Sequence, residues 1–592
     1  MAATSPGSNA RRRTRDYPPL AAAGLVALLI LAILPSSLNL PQSAPTEQLE
    51  FAPVPPEDDI TTPPAGNFSS LSLAGGSSLG SEFDPELQPA AGGEVGGGRA
   101  KNPATKRCVG NPPRQAEDPL SPPCAAYFNG DNHGATYQGV TNDEVRVLFY
   151  VNCCINYIAG ENGNEETPEN TYVDLAEPPQ EGEHGWVRGL RTYQRYFNER
   201  YQTYGRFVHF FIYFATSGEG PEPRRAEAVE NFQRIKPFAV ATYVSDNAEA
   251  YLEVMQRRGV IAFGGTSGDT GVFVGRSSAY FSRKPGLVWG YLASLEQYGG
   301  MYSSLVCKKL VPYPASFSGN SGQNGQPRRF GLFWADDPEF PFLRAMRDLV
   351  KQEVERCGGN IVAEATFPEG CCATGSTQNP DAGAAAMAAF VQAGVTTVLW
   401  TGGMEVNMSA QAGAANFRPE WLVLGDGLHD SVEHGQLMDQ SVWEHAWVVT
   451  PKTLKGSEEE EPCFQAAREG DPGASRETVT RFTCGFYNDT RQMFTGIQVA
   501  GPRLDPGTMN RGFHAIPRHE SSSPLVPACY YNAGDYTCVK DAMAQKWDPA
   551  GTGSSGTGCW KPAMQGRRFT AQGWPSGDLG MFSSSDDPCN TA

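Results

Sequence analysis

Cationic residues are in deficit: 47 Lys and Arg stand against 65 Asp and Glu, a formal net charge of −18 over 592 residues. A chain without surplus Lys and Arg to neutralise phosphates is not built for nucleic acid, and none is expected as a partner. Histidine is scarce, with 8 in the chain. No Walker A loop is present, no Gly-x-Gly-x-x-Gly follows a strand, and no Gly-x-Ser-x-Gly surrounds Ser267. His429-Asp430-Ser431-Val432-Glu433-His434 has the spacing of neither H-E-x-x-H nor H-x-x-E-H. Gly319-Asn320-Ser321-Gly322 lies in a Gly/Asn/Gln-rich stretch with no His nearby. Paired Cys-x2-Cys spacings, which structural zinc favours, are missing. The expectation is a protein that is not an enzyme and uses neither cofactor nor metal.

Long uncharged apolar runs are rare. The clearest is Leu20 to Leu34, preceded by Arg11, Arg12, Arg13 and Arg15. As a helix it spans roughly 22 Å against a hydrocarbon core of roughly 30 Å, and extension through Leu40 brings it close to a full span. Pro35-Ser36-Ser37-Leu38-Asn39-Leu40 is a poor A-x-A-like cleavage site, which favours an uncleaved anchor over a secretory signal. The Arg side is then cytoplasmic by the positive-inside rule. The chain beyond is extracytoplasmic at the cell membrane, or secreted if the signal is cleaved.

What the chain has in quantity is glycine (66) and proline (46), more than an average composition gives. Much of it falls between Pro41 and Lys106, where few residues can form a core. This reads as a disordered tether with an end-to-end distance of roughly 45 Å. The 14 cysteines lie between Cys108 and Cys589 and point to disulfides and an oxidising compartment. Cys108 and Cys124 are close in a loop, Cys529 and Cys538 bracket an Asn-Ala-Gly-Asp turn, Cys559 and Cys589 bracket the tail, Cys463 and Cys484 flank the return loop, and Cys307 and Cys357 fall at the base of the second lobe; bridges are expected for each, although sequence does not determine pairing. Cys153-Cys154 and Cys371-Cys372 are adjacent pairs.

From Val145 onward strands alternate with helices. Val145–Val151, Phe207–Phe214, Phe238–Val244 and Val260–Phe263 read as strands; Gly185–Tyr204, Arg224–Ile235 and Ala248–Arg258 read as helices. Gly286–Tyr298 reads as one more helix, leading to Leu305-Val306, and Pro312–Arg329 as a turn-rich linker. The alternation restarts with strands at Phe330–Trp334, Ile361–Phe367, Thr397–Trp400 and Leu422–Leu424 and helices at Phe340–Arg356 and Ala382–Ala393. Such alternation means parallel βαβ units with both sheet faces covered. Tyr487–Val499 is helical in period, and Asp505-Pro506 opens a further helix with Asp as N-cap and Pro at its first position. A helix pair after two complete α/β units is expected to pack back on one of them.

Gly130-Asp131-Asn132-His133-Gly134-Ala135-Thr136-Tyr137-Gln138-Gly139-Val140-Thr141 leads into the first strand. It resembles the opening of the solute-binding proteins of branched-chain-amino-acid-type ABC transporters, in the version common in actinobacteria. The turns at Tyr243-Val244-Ser245, Gly264-Gly265-Thr266-Ser267 and Trp400-Thr401-Gly402-Gly403, and the segment Tyr487 to Ile516, fall in that family's order. The resemblance covers about residues 120 to 570. It implies the type I periplasmic binding protein fold: two doubly wound parallel-sheet lobes joined by three crossovers, with hinge closure on a ligand. The expected layout is a basic cytoplasmic stub (1–17), a signal-anchor transmembrane helix (18–40), the tether (41–106), lobe 1 (107–310), lobe 2 (330–450), a return to lobe 1 (480–520), and a Cys-rich segment on lobe 2 (521–592).

Carried over by position, the resemblance places Tyr243 and Ser245, then Thr266 and Ser267, at turns that meet a ligand's carboxylate and amino group. Trp400, Thr401 and Asp426 fall in the turns that close from the second lobe, and Asp336 follows that lobe's first strand. The same residue types also suit turns, caps and lobe packing. Family members often have Tyr-Gly where this chain has Trp334-Ala335-Asp336, which puts an amino-acid ligand in doubt. The implied partners are a small polar molecule and an ABC permease. A sensory or interaction ectodomain of the same fold, working with an envelope partner, stays open, as does an enzyme using Asp336, Asp337 and Asp426.

Overall fold

Along Glu144–Asn152 (β3), alternate side chains enter different cores. Val145, Val147, Phe149 and Val151 face one, and Leu148 and Tyr150 face the other. Period-2 alternation with both faces apolar makes this a strand buried from both sides, as parallel sheets require. The architecture of this computed structural model follows from repeating that pattern. Residues 108–592 are described apart from internal stretches, the longest being 153–170, 265–275 and 368–379, and the last two residues. The expected stub, anchor and tether lie outside the described residues, as do Cys153-Cys154 and Cys371-Cys372. No helix among the described residues is long and apolar enough to cross a membrane.

After a short hairpin, Cys108–Val109 (β1) with Arg114–Gln115 (β2), the first lobe is built on β3, Thr171–Asp174 (β4), Phe207–Phe214 (β5), Ala239–Val244 (β6), Ile261–Gly264 (β7) and Val288–Trp289 (β8). Their order is β4-β5-β3-β6-β7-β8, parallel except for the edge strand β4. Gly185–Arg200 (α1) covers one face, while Pro221–Ile235 (α2) and Ala248–Arg257 (α3) cover the other. The short Ser278–Ser282 (α4) precedes β8.

The second lobe uses Phe330–Ala335 (β9), Ile361–Phe367 (β10), Thr397–Trp400 (β11), Glu420–Leu424 (β12) and Ala446–Thr450 (β13). These are parallel in the order β10-β9-β11-β12-β13. Antiparallel strands Met543–Gly553 (β14) and Gly556–Pro562 (β15) extend the sheet beyond β13. Leu295–Leu305 (α5) and Pro341–Arg356 (α6) pack on one face; Pro380–Gln392 (α7), Asn407–Ala414 (α8) and Gln440–Trp443 (α10) lie toward the other, with Val432–Leu437 (α9) against β15. Leaving aside the antiparallel edges, both sheets run in the order second, first, third, fourth, fifth. The chain thus contains two doubly wound units.

Three crossovers join the units. The first leaves β8 and enters the second core between Trp289 and Leu292. The second leaves β13 and re-enters the first core at Pro462–Gly470 (α11), followed by Gly485–Ala500 (α12) and Pro506–Ala515 (α13). The third follows α13 and changes core between Cys538 and Val539. The helix pair α12–α13 packs on the first lobe: Phe494 stacks on Phe197 with centroids 5.2 Å apart, and Phe513 lies 4.3 Å from Trp289. Asp505 caps α13 with Pro506 in its first turn. All five expected disulfides form, Cys108–Cys124, Cys307–Cys357, Cys463–Cys484, Cys529–Cys538 and Cys559–Cys589.

Parts of the sequence reading differ from the structure, beginning with the helix expected over Gly185–Tyr204, which ends at Arg200. The helix expected over Gly286–Tyr298 is instead β8 followed by a turn, and α5 begins at Leu295 where Ser294 and Gln297 form a capping box. That helix belongs to the second lobe, since Tyr298, Met301, Tyr302 and Leu305 pack with Leu332, Val350 and Leu399. The first lobe's main body therefore ends near 290 rather than 310. The stretch Pro312–Arg329 is an ordered part of the second lobe, with Ala315 fully buried and Arg328 paired to Glu420 at 2.7 Å.

The opening motif has a structural role. Arg206, fully buried, donates to the carbonyls of Thr141 and Pro502 (both 2.8 Å) and of Gly134 (3.1 Å), tying the motif to α12's exit. Burial pushes its guanidinium down to about 10. Gly139, at φ +71°, lies so close to Phe238 that a Cβ would come within 2.2 Å of its backbone nitrogen.

Burial also pushes His445 and His519 below the ordinary histidine value of 6.5. The unfolded chain then takes up protons first as pH falls, so the stability these residues contribute is present above pH 6.5 and lost as pH drops through their folded values. The midpoint of thermal unfolding is expected to fall between pH 7 and pH 5. The double variant His445→Gln/His519→Gln should flatten that slope; parallel slopes would count against this cause.

Candidate functional site

In doubly wound sheets, ligands bind outside the carboxyl ends of the strands, at the point where strand order reverses. Here that rule selects the ends of β3 and β6 in the first lobe and of β9 and β11 in the second. Ser245 follows β6 and lies outside the described residues, as do Thr266 and Ser267 after β7 and Asp426 after β12. Tyr243 is the penultimate residue of β6. Asp336 and Thr401 directly follow β9 and β11, so they flank the second reversal point.

Asp336 is half-buried, donates its backbone N–H to Phe367 O (2.9 Å), and pairs with Arg344 of α6. Thr401 is buried; its N–H donates to Phe333 O (3.0 Å), and its hydroxyl has no hydrogen-bond partner among the described residues. Gly402, at φ +143°, follows in a conformation only glycine adopts readily, and its carbonyl receives Ala335 N–H. Trp400 does not point to this rim. Its ring is fully buried among Phe333, Trp421, Trp443 and His429, and its Nε1 donates to Gly402 O at 3.1 Å. The strand's alternation explains this: Leu399 faces one core, so Val398 and Trp400 face the other.

The turn leading to Asp426 is held from beneath. Gly425 N–H donates to Val449 O (2.7 Å), and the hydroxyl of Tyr298 on α5 reaches the carbonyls of Gly425 and Val449. A Cβ on Gly425 would come within 2.7 Å of Asp430 Oδ2, which explains the glycine there. Asp430 is buried, accepts from Thr450 Oγ1, and faces Lys452 Nζ at 3.5 Å. This polar group sits where β13 ends and the second crossover begins. Sequence reasoning had no signal for Tyr298, which reaches across 127 residues to Gly425.

The first and third crossovers run side by side. Gly290 N–H donates to Tyr536 O (2.9 Å), Cys538 N–H to Gly290 O (3.0 Å), and Val539 N–H to Tyr291 O (2.9 Å). Arg568 ties the second and third together: Nε pairs with Asp541 at 2.9 Å, while Nη1 and Nη2 donate to the carbonyls of Lys452 and Pro451, both 2.8 Å. Burial pushes Asp541 upward against the opposing pull of Arg568. Lys540, buried beside Asp535 at 2.9 Å, is pushed down by the same loss of water. The crossovers thus meet in a narrow, bonded strip, with no metal-holding group of His, Cys, Asp or Glu among the described residues.

No protein-family model matches the chain, and no curated protein matches it. Solved structures similar to it include a solute-binding protein of an ABC transporter from R. palustris in complex with 4-hydroxybenzoate (13% identity, TM-score 0.47, covering 69% of this chain and 93% of that one). Another is a leucine-, isoleucine-, valine-, threonine- and alanine-binding protein from Brucella ovis in a closed conformation (10%, 0.49, 74% and 97%). A third is a branched-chain amino acid ABC transporter protein from Thermus thermophilus with bound valine (12%, 0.47, 75% and 98%).

Proposed function

We propose that this chain is an extracytoplasmic solute-binding protein that closes its two lobes on a small polar ligand and delivers it to an ABC permease. The observation that carries this reading is the repeated strand order: two doubly wound units whose last parallel strands, β8 and β13, both lead into crossovers. A doubly wound unit collects ligand-binding loops at its strand carboxyl ends. Two such units joined by a bonded strip at Gly290-Tyr291 and Cys538-Val539 can rotate about it and enclose a molecule between those ends. In this reading Ser245, Thr266, Ser267 and the neighbouring Tyr243 meet the ligand from the first lobe, and Asp336, Thr401 and Asp426 from the second. Trp400 is a packing residue beneath that rim. The N-terminal apolar segment anchors the protein to the membrane, with the Gly/Pro-rich stretch as its tether.

The test is a thermal-shift screen of the full chain against amino acids, small amides, sugars and polyamines. Ligand at about 100 times its dissociation constant adds roughly 2.7 kcal/mol of stability. One chemical class is expected to raise the midpoint, and Asp426→Ala or Ser267→Ala to abolish the rise. A screen in which no class shifts the midpoint would contradict the reading and favour a protein partner.

A further inference from the structure

Behind the crossover strip, on the first lobe, lies a cavity of about 150 Å³ walled by the opening segment, α12, α13 and the third crossover. A cavity of this volume accepts roughly a single six-membered ring. Its wall is mainly apolar, from Pro119, Leu120, Phe513, Ile516 and Tyr531, and it carries three guanidinium groups, Arg114, Arg491 and Arg518. Arg491 pairs with Asp118 at 3.3 Å and Arg518 with Glu520 at 3.6 Å. Arg114 donates to the carbonyls of Gln115 and Asp118, both 2.9 Å, and has no carboxylate partner among the described residues. The wall therefore keeps one positive charge in excess of its carboxylates.

Three of the residues that line the cavity, Arg491, Gln492 and His519, each hold a buried polar atom (Nε, Oε1 and Nε2) with no hydrogen-bond partner among the described residues. An apolar pocket with a few convergent polar groups is the usual form of a small-molecule site.

The same residues touch the crossover strip. Gln492 Nε2 donates to Gly290 O at 3.0 Å and to Tyr531 Oη at 2.7 Å. Arg491 lies 5.4 Å over the ring of Tyr291. The Cys529–Cys538 bridge forms part of the wall, one residue from where the third crossover changes core.

We propose that this cavity is a second ligand site, separate from the interlobe ends, that takes a small monocarboxylate with an apolar body the size of one ring. Its carboxylate meets Arg491 and Arg114, and its body fills the apolar wall.

The experiment is titration calorimetry of the full chain with cyclohexanecarboxylate and with cyclohexanecarboxamide, its neutral counterpart. The acid is expected to bind, and the amide to bind about tenfold more weakly or worse, because a charge-assisted hydrogen bond contributes about 1.5–3 kcal/mol. Arg491→Gln should weaken the acid by a similar factor. Thr495→Phe, which fills the cavity from α12, should abolish binding while leaving the circular dichroism spectrum unchanged. If Arg491→Gln fails to fold, Thr495→Phe and Arg114→Gln decide. No heat with the acid, equal binding of acid and amide, or binding that survives Thr495→Phe would each overturn the proposal.

Discussion

Replacing Glu420 by alanine is expected to lower the stability of the second lobe by about 3–5 kcal/mol, the cost of leaving a buried partner charge uncompensated. Glu420 is fully buried at the amino end of β12 and serves several donors at once. Arg328 Nε reaches Oε2 at 2.7 Å and Nη2 reaches Oε1 at 3.1 Å. The N–H groups of Ser316 and Phe317 donate to Oε1 at 2.8 and 2.9 Å, and Thr397 Oγ1 donates to Oε2 at 2.7 Å. Without the carboxylate, a buried guanidinium and two backbone donors lose their acceptor, and the loop from 312 to 329 loses its anchor. Glu420→Gln keeps the shape and part of the hydrogen bonding, so it should fall between wild type and alanine. Urea denaturation checks the series; a loss below about 1 kcal/mol for Glu420→Ala, the range of an exposed pair, would contradict it.

Trp400→Ala should cost a similar amount, about 3–5 kcal/mol, as a large-to-small change in a packed core. The ring fills the space between Phe333, Trp421, Trp443 and His429. Thermal unfolding without any added ligand is the telling measurement, because it separates packing from recognition. A fall in the midpoint of the ligand-free protein supports the packing role. An unchanged midpoint together with lost ligand response would restore Trp400 to the ligand surface.

Local pattern carried much of the fold. The apolar alternation of Phe207–Phe214 and the Asp505-Pro506 helix start each report on their own neighbourhood and form where expected, while the helix expected over Gly185–Tyr204 stops at Arg200, where Tyr201 is extended. The disulfide pairs Cys108–Cys124 and Cys529–Cys538 are equally local, with members 16 and 9 residues apart. What was not legible is which core a helix joins. The apolar face of Leu295–Leu305 suits either lobe, and the contacts that decide it, such as Tyr302 Oη to Leu422 O at 2.7 Å, span 120 residues. The 312–329 stretch looked like a linker because its turn residues are visible and its anchor, Glu420, is about a hundred residues away. The β14–β15 hairpin was hidden by weak alternation in Met543–Gly553, a strand held by its pairing with Ala446–Thr450. For the site, the order of strands picks out the ends that the strand-reversal rule selects, and the pleat of β11 puts Trp400 in the core, with Thr401 directly after the strand.

Amide hydrogen exchange of the full chain, with and without the compound that raises its melting point, tests the two-lobed capture most directly. The account predicts that ligand slows exchange at the ends of β6 and β7 in one lobe and of β9, β11 and β12 in the other, together and at the same ligand concentration. Slowing confined to one lobe, or to residues 113–123 and 529–538 around the cavity behind the crossovers, would contradict capture between the lobes.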